Sequence, residues 1–265
     1  MIKDHFPLLK GLILDMDGVL WHDTQSIGDL PEIFKKIESL GLSYVFATNN
    51  SSKTIDEYQD KLRGFGLEVS PNQITTSAET AFAYIRDYYP SLETVHIVGS
   101  ESLIQNAKDK NFRVLDDDAV DRPDIVLVGI DMDLTYQKIS LASKHIRDGA
   151  VFIATNTDPT YPTPNGLIPG AGVMVAAIQT ASGKDPIIIG KPYPNIYIRA
   201  MKLMGLEQNE VLCVGDRLST DILGAQQCGF PSAFVLSGVN TAEDLEKWTP
   251  QPDIVTKDLE ALING

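Results

Sequence analysis

Short apolar runs alternate with amphipathic stretches at the start of the chain, and each ends in a glycine, an asparagine or an acid. In order they are LKGLILD, PEIFKKIESLG, SYVFATNN and TIDEYQDKLRGFG. The apolar runs have the length of buried strands, and the amphipathic stretches have the period of helices. This β-α-β-α order predicts a parallel sheet covered by helices, with ligands bound at the carboxyl ends of its strands.

The same order returns towards the end of the chain in PIIIGKP, EVLCVGD and SAFVLSG, which predicts that the first sheet resumes there. The segment between has its own strand and helix patterns and is long enough for a domain. We therefore predict an α/β fold in which residues 1–78 and 184–265 form a Rossmann-like doubly wound parallel sheet. Residues 79–183 are predicted to form an inserted α/β domain. One long doubly wound sheet is the alternative that the pattern leaves open.

Composition narrows the class of protein. The chain has 265 residues, 43% of them hydrophobic, and a formal net charge of −14. Such a charge repels nucleic acid and anionic lipid, so neither is an expected partner, and an anion site would need a local cation or a metal. No apolar run approaches the roughly 20 residues that span a bilayer, and the first residues lack the pattern of a signal peptide. We expect a cytoplasmic protein.

Acids follow two of the predicted strands. Asp15 and Asp17 come directly after the run Leu12–Leu14, and Asp216 ends EVLCVGD, with Asp221 five residues later. Carboxylates gathered at one sheet edge repel each other unless a cation lies between them, and their oxygens suit Mg²⁺. Taken singly, the first pair is equally compatible with an Asp-rich turn, and Asp221 with a helix cap.

Two further groups sit at predicted strand ends. SYVFATNN ends with the hydroxyl of Thr48, and PIIIGKP ends with the ammonium of Lys191. A metal, an ammonium and a hydroxyl around one point complete a pocket for a phosphoryl group. The tripeptide DMD recurs at Asp131–Asp133, but there it lacks the following glycine. No matching lysine or second acid pair is evident around it, so we predict an ordinary strand end inside the inserted domain.

The order DMDGVL, ATNN, GKP and GDRLSTD resembles the four motifs of the haloacid dehalogenase superfamily of aspartate-nucleophile phosphatases. Extended stretches such as DGVLW, FATNNSS and ATNTDPTYPTPNGLIPGAG are similar to its NagD and p-nitrophenylphosphatase branch. The likeness covers essentially the whole chain. It implies that the inserted domain is the cap that this branch carries between its second and third motifs.

The resemblance also implies roles for the motif residues. Asp15 would be the nucleophile that becomes phosphorylated, and Asp17 the general acid and base. Mg²⁺ would be held by Asp15, by the backbone carbonyl of Asp17 and by Asp216.

The remaining motif positions would serve the phosphoryl group and the cap. Thr48, Asn49 and Lys191 would bind the phosphoryl oxygens, and Asp221 would orient a metal-bound water or Lys191. The cap loop 158–165 would face the leaving group of the substrate, with Tyr161 as its contact.

These roles imply a Mg²⁺-dependent phosphatase for a small phosphorylated metabolite, because a cap of this size should exclude polymers. The proton donor Asp17 favours phosphate esters over haloalkanoates, since halide leaves without a proton. A phosphotransferase or mutase that uses the same aspartyl-phosphate stays open, as does a non-catalytic phosphoryl-accepting switch. Caps of this branch often pair, which leaves open a homodimer. The substrate itself is not identified.

Overall fold

The computed structural model describes residues 2–163 and 166–265. Its strands are, in chain order, β1 Gly11–Leu14, β2 Trp21–His22, β3 Gln25–Ser26, β4 Ser43–Thr48, β5 Ile74–Thr76, β6 Thr94–Val98, β7 Arg113–Val114, β8 Ile125–Val128, β9 Val151–Ala154, β10 Thr160–Thr163, β11 Gly166–Pro169, β12 Ile187–Ile188, β13 Val211–Gly215, β14 Ser232–Val235 and β15 Ile254–Thr256.

The α-helices are, in chain order, α1 Ile2–His5, α2 Leu30–Ser39, α3 Ile55–Gly64, α4 Ser77–Tyr88, α5 Glu101–Asp109, α6 Tyr136–Arg147, α7 Ala171–Ser182, α8 Pro194–Met204, α9 Leu223–Gln227, α10 Ala242–Glu246 and α11 Leu259–Asn264. Two short 3₁₀ turns, Pro71–Gln73 and Gln208–Glu210, and a π-helical turn, Leu218–Ile222, complete the regular structure. Among the described residues no helix combines the length and apolar character needed to cross a membrane.

The chain divides into two compact units. The first comprises the segment up to Thr48, Ile55–Thr75 and Lys191–Gly265, and the second comprises Asn49–Thr54 and Thr76–Gly190. The predicted insertion, residues 79–183, lies inside the second unit.

The first unit is built on a six-stranded sheet in the order β15-β14-β13-β1-β4-β5. β1 is central and pairs in parallel with both β13 and β4. Its side chains alternate between two cores: Leu12 and Leu14 pack with residues of α2, α3 and α11, whereas Ile13 packs with residues of α8 and α9. Helices therefore cover both faces, which confirms the predicted doubly wound parallel sheet.

The second unit has its own sheet, in the order β12-β9-β8-β6-β7, with parallel pairing between β6, β8 and β9. One face packs on α4 and α5 and the other on α6 and α7. The strand predicted in PIIIGKP does not rejoin the first sheet as expected, because Ile187–Ile188 pairs with β9. Residues 184–190, predicted as core, therefore belong to the second unit.

Candidate active site

Three neighbouring strands of the first unit bring the predicted site residues to one edge of the sheet. Asp15 follows β1, Asp216 follows β13, and Thr48 is the buried last residue of β4. The Asp15 backbone N–H continues the ladder by donating to the Val214 carbonyl at 2.9 Å. Since the carboxyl ends of adjacent parallel strands meet at the same edge, the fold itself gathers these side chains.

Asp15, Asp216 and Asp221 form a cluster of carboxylates. Each offers an oxygen within 4.8 Å of the oxygens of the other two. The side chains of Asp216 and Asp221 are buried, and that of Asp15 is 14% exposed. Asp221 offers an oxygen to this cluster as well, and its predicted role, to orient a metal-bound water or Lys191, stays a prediction.

Lys191 supplies the positive charge of this cluster. Its Nζ donates to Asp15 Oδ1 at 2.5 Å and to Asp221 Oδ1 at 2.6 Å, and its side chain is 4% exposed. Burial by itself disfavours the ammonium form, but the two carboxylates outweigh burial and raise the pKa of Lys191. The lysine is therefore a permanent cation that fixes the orientation of both acids.

One ammonium does not neutralise three carboxylates. Burial raises the pKa of Asp15 well above its ordinary value; Lys191 opposes this rise, whereas Asp221 and Asp216 add to it. Burial and then Asp221 raise the pKa of Asp216 to about 6, against the hydrogen bond from Val239. If every group is ionised the cluster carries two surplus negative charges, which is the charge that a divalent cation balances.

The loop after β14 holds Asp216 in place. The Val239 backbone N–H donates to Asp216 Oδ2 at 2.6 Å, and the Ser237 hydroxyl donates to the Gly18 carbonyl at 2.7 Å. A Cβ at Gly238 would overlap the Asp216 carboxyl group, and Gly18 has a φ of +85°. Glycine is therefore required at both positions, by close approach at Gly238 and by conformation at Gly18.

Two further hydrogen bonds orient Asp221, one to its carboxylate and one to its backbone carbonyl. It lies in the π-helical turn, where its Oδ2 accepts from the Arg217 N–H at 3.1 Å. Tyr197 on α8, buried beneath the turn, donates its hydroxyl to the carbonyls of Thr220 and Asp221 at 3.1 and 3.0 Å. Tyr197 and Val239 were not among the predicted site residues. No local sequence signal identifies them, because Tyr197 bonds to backbone carbonyls and Val239 acts through its backbone N–H.

Asp17 stands apart from the three carboxylates. Its side chain is exposed, and its Oδ1 accepts a hydrogen bond from Trp21 Nε1 at 2.8 Å. The predicted contribution of Asp17 to a metal is through its backbone carbonyl, which stays a prediction.

Asn49 and Tyr161 belong to the second unit. Asn49 Nδ2 lies 3.2 Å from both carboxylate oxygens of Asp158, and the Tyr161 hydroxyl accepts from Asn50 Nδ2 at 3.3 Å. The predicted roles of Asn49 towards phosphate and of Tyr161 towards the leaving group stay predictions. The last two residues of loop 158–165, Pro164 and Asn165, lie outside the described residues.

Comparison with known proteins relates this geometry to a family. Residues 12–113 match the family model of haloacid dehalogenase-like hydrolases, and residues 188–262 match a second model described as HAD-hydrolase-like. An acid sugar phosphatase of Staphylococcus aureus is 32% identical over 254 residues, which cover 96% of each chain.

Two solved structures share the fold over nearly the whole chain. A 4-nitrophenylphosphatase from Thermotoga maritima is 31% identical, with a TM-score of 0.90 over 100% of this chain and 99% of its own. A glycerol phosphate phosphatase from Mycobacterium tuberculosis, solved in complex with magnesium, is 35% identical, with a TM-score of 0.86 over 96% of this chain and 76% of its own.

The chain belongs to the haloacid dehalogenase-like hydrolases, as its four motifs indicated. These relatives are phosphatases, and this chain is an enzyme of the same phosphatase class. The resemblance to the nitrophenylphosphatase branch is likewise confirmed.

Proposed function

We propose that this enzyme is a Mg²⁺-dependent phosphatase that hydrolyses small phosphomonoesters through an aspartyl-phosphate on Asp15. The observation that carries the proposal is the convergence of Asp15, Asp216 and Asp221 on one point, with Lys191 bonded to two of them. The relatives named for sugar phosphates and glycerol phosphate support a small ester as substrate. The net charge of −14 argues against polyanionic substrates such as nucleic acid.

The donor set fits magnesium. The cluster offers carboxylate oxygens, which are the ligands that Mg²⁺ prefers, and its surplus negative charge is repulsive until a cation joins it. The glycines at positions 18 and 238 leave the Asp216 carboxyl group room beside the turn that carries Asp15 and Asp17. When bound between Asp15, Asp216 and the Asp17 carbonyl, the ion would screen the nucleophile from the negative phosphoryl group.

Lys191 would orient the nucleophile and bind the oxygens of the phosphoryl group. Its bond to Asp15 Oδ1 fixes the carboxylate for in-line attack, and its ammonium then offsets charge on the phosphoryl oxygens. Asp221 holds the other side of the ammonium, so that Lys191 remains between the acids. Thr48 at the end of β4 adds a hydroxyl donor.

The reaction proceeds in two halves. In the first, an Asp15 oxygen attacks phosphorus while the bond from phosphorus to the ester oxygen breaks, and Asp17 gives its proton to that oxygen. In the second, water attacks phosphorus, its proton passes to Asp17, and the bond from Asp15 to phosphorus breaks. Inorganic phosphate leaves and both aspartates return to their starting forms.

The test is phosphate release from a panel of phosphorylated metabolites, with Mg²⁺ present and compared by kcat/KM. We expect stoichiometric release of free phosphate and alcohol from at least one small ester, and acid-stable phosphate on Asp15 after rapid quenching. Transfer of the phosphoryl group to an acceptor other than water would instead identify a transferase. Turnover without any phosphorylated Asp15 would overturn the proposed mechanism.

A further inference from the structure

Trp21 is fully buried, yet the one polar atom of its side chain reaches the exposed acid of the first motif. Its Nε1 lies 2.8 Å from Asp17 Oδ1. The backbone closes the same turn, because the Gly18 N–H donates to the Trp21 carbonyl at 2.8 Å. One hydrogen bond between the side chains of Asp17 and Trp21 and one between backbone groups therefore close the same turn.

Two further side chains pack on the indole ring. Phe65 stacks against it with ring centroids 5.5 Å apart and an interplanar angle of 18°, and Lys61 Nζ lies 4.1 Å from its centroid. All four residues belong to the first unit. These contacts and the complete burial of the ring oppose rotation of its N–H away from Asp17. A cation over the π face makes the N–H a stronger donor.

We propose that Trp21 is a positioning residue that fixes which oxygen of Asp17 exchanges the catalytic proton. An indole N–H donates and cannot accept, so the oxygen that faces it cannot direct a proton at the ring, and the unprotonated oxygen of the acid form is the stronger acceptor for it. Oδ1 of Asp17 is therefore reserved for Trp21, and the proton of the acid form is carried by Oδ2. The proposal rests on the function proposed above, because it assigns a proton to Asp17.

The consequence falls on the first half of the reaction. As the bond between the ester oxygen and phosphorus breaks, the proton on Oδ2 passes to that oxygen, and Asp17 is left as a carboxylate whose Oδ1 keeps the indole bond. An alkoxide is a poor leaving group and depends on this proton, whereas nitrophenolate leaves without it. Loss of the indole N–H should therefore slow alkyl esters selectively.

The kinetic test compares Trp21→Phe with Phe65→Leu, which removes the stacked ring but keeps the N–H. The first turnover is followed with glycerol phosphate and with p-nitrophenyl phosphate at saturating Mg²⁺, so that the later water step does not contribute. We expect Trp21→Phe to slow the first turnover of glycerol phosphate by roughly 10- to 100-fold and that of the nitrophenyl ester less than about 3-fold. Phe65→Leu keeps the N–H and an apolar side chain beside the ring, so it should change the ratio of the two rates less than about 3-fold. Equal losses for both esters in Trp21→Phe would overturn the proposal.

A spectroscopic test does not depend on activity or on the folding of a Trp21 variant. The chain has two tryptophans, so its indole N–H region contains two signals, and Trp248→Phe assigns them. Asp17→Ala, at an exposed side chain, should shift the Trp21 N–H signal upfield and leave that of Trp248 in place. An unmoved Trp21 signal would refute the hydrogen bond while leaving the phosphatase function intact. Failure of the wild-type enzyme to release phosphate from any ester would instead refute the function.

Discussion

The tripeptide Asp-Met-Asp occurs once in each unit, and the two copies begin alike. Asp15 comes directly after the buried strand β1, and Asp131 comes three residues after the end of the buried strand β8. Each is bonded to a lysine, Asp15 to Lys191 at 2.5 Å and Asp131 to Lys138 at 2.7 Å. The prediction that no lysine matches the second copy was therefore wrong.

The copies differ in what the neighbouring strands contribute. Beside β1, the strand β13 is followed by Asp216, whereas β6 and β9, on either side of β8, are followed by Gly99 and Thr155. Asp131 thus has one lysine for one carboxylate, and its Oδ1 also accepts the Asp133 N–H at 2.9 Å. A charge-balanced, hydrogen-bonded pair has no need of a metal.

The residue that follows each tripeptide reinforces the difference. Gly18 leaves room for the Asp216 carboxyl group, and Met16 is buried in the core. Leu134 follows the second copy, and Met132 is 66% exposed. The same local motif therefore becomes part of a cluster of acids only where the order of the sheet brings further acids beside it and the backbone leaves room for them.

The largest expected effect is on turnover. Asp15→Asn should lower kcat by about 10⁴-fold or more in a folded protein, because an amide fills the space but cannot attack phosphorus. Asp131→Asn is the matched change in the other copy and should leave kcat per folded molecule unchanged. Circular dichroism verifies folding in both variants. Comparable losses of kcat in the two variants would remove the functional distinction between the copies.

The second-largest expected effect is on the Mg²⁺ requirement, which should depend on the Asp-Met-Asp copy of the first unit and not on that of the second. EDTA should abolish phosphate release and added Mg²⁺ should restore it, since the surplus charge lies at Asp15, Asp216 and Asp221. Asp216→Asn should raise the Mg²⁺ concentration for half-maximal activity by about 10- to 100-fold. The control is Asp133→Asn, with an unchanged Mg²⁺ requirement. Activity indifferent to chelator would exclude the ion from the mechanism.

The two lysines should differ in their contribution to stability. Lys191→Met leaves Asp15 and Asp221 without the cation that they share and should lower the free energy of unfolding by about 3 kcal/mol in EDTA. Lys138 is 28% exposed, so Lys138→Met should cost about 1 kcal/mol. Urea unfolding measures both.

Magnesium provides the control for this pair. Added Mg²⁺ should recover part of the loss in Lys191→Met, because the cation and the ammonium neutralise the same acids. It should leave Lys138→Met unchanged. Equal recovery in both variants would contradict the assignment of surplus charge to the first copy alone.

Strand ends were the predictable part of the site. The β-α rhythm brought Asp15, Asp216 and Thr48 to one edge, because a strand's position and direction follow from its apolar run. The strand Ile187–Ile188 was assigned to the wrong sheet, since two apolar residues can pair with either edge and only tertiary packing decides. The four family motifs established the class of enzyme.

The orientation of the side chains could not be predicted from the sequence as the strand ends could. The sequence places Asp221 six residues beyond the end of β13. Its carboxylate reaches the cluster only because a π-helical turn, to which Tyr197 donates a hydrogen bond, directs the chain back. Asp216 is oriented by a hydrogen bond from the backbone N–H of Val239, which a residue of almost any type could donate. Such contacts join segments distant in the chain, and local patterns do not encode them.

The smallest expected effect is the response of the two units to acid, which should have opposite signs. In the second unit, burial lowers the pKa of His96 although Asp117 lies 4.0 Å away. The unfolded chain therefore binds more protons below about pH 6.5, and stability falls there by up to about 1.4 kcal/mol per pH unit. In the first unit the pKa of Asp216 is raised to about 6, so without metal the folded state binds more protons between about pH 4 and 6. Its stability should rise as the pH falls through that range.

Hydrogen exchange in EDTA at pH 7 and pH 5.5, corrected for the intrinsic pH dependence of exchange, resolves the two units. Protection of β8 should fall on acidification relative to protection of β13. His96→Leu should reduce the acid sensitivity of β8, because no proton can then be taken up on unfolding at that position. Part of the sensitivity should remain, since burial also lowers the pKa of the neighbouring His145. The exposed control His22→Gln should retain all of it. A decrease in protection of equal size in both sheets would contradict this prediction. It would mean that neither the histidine of the second unit nor the acids of the first unit governs the response to acid.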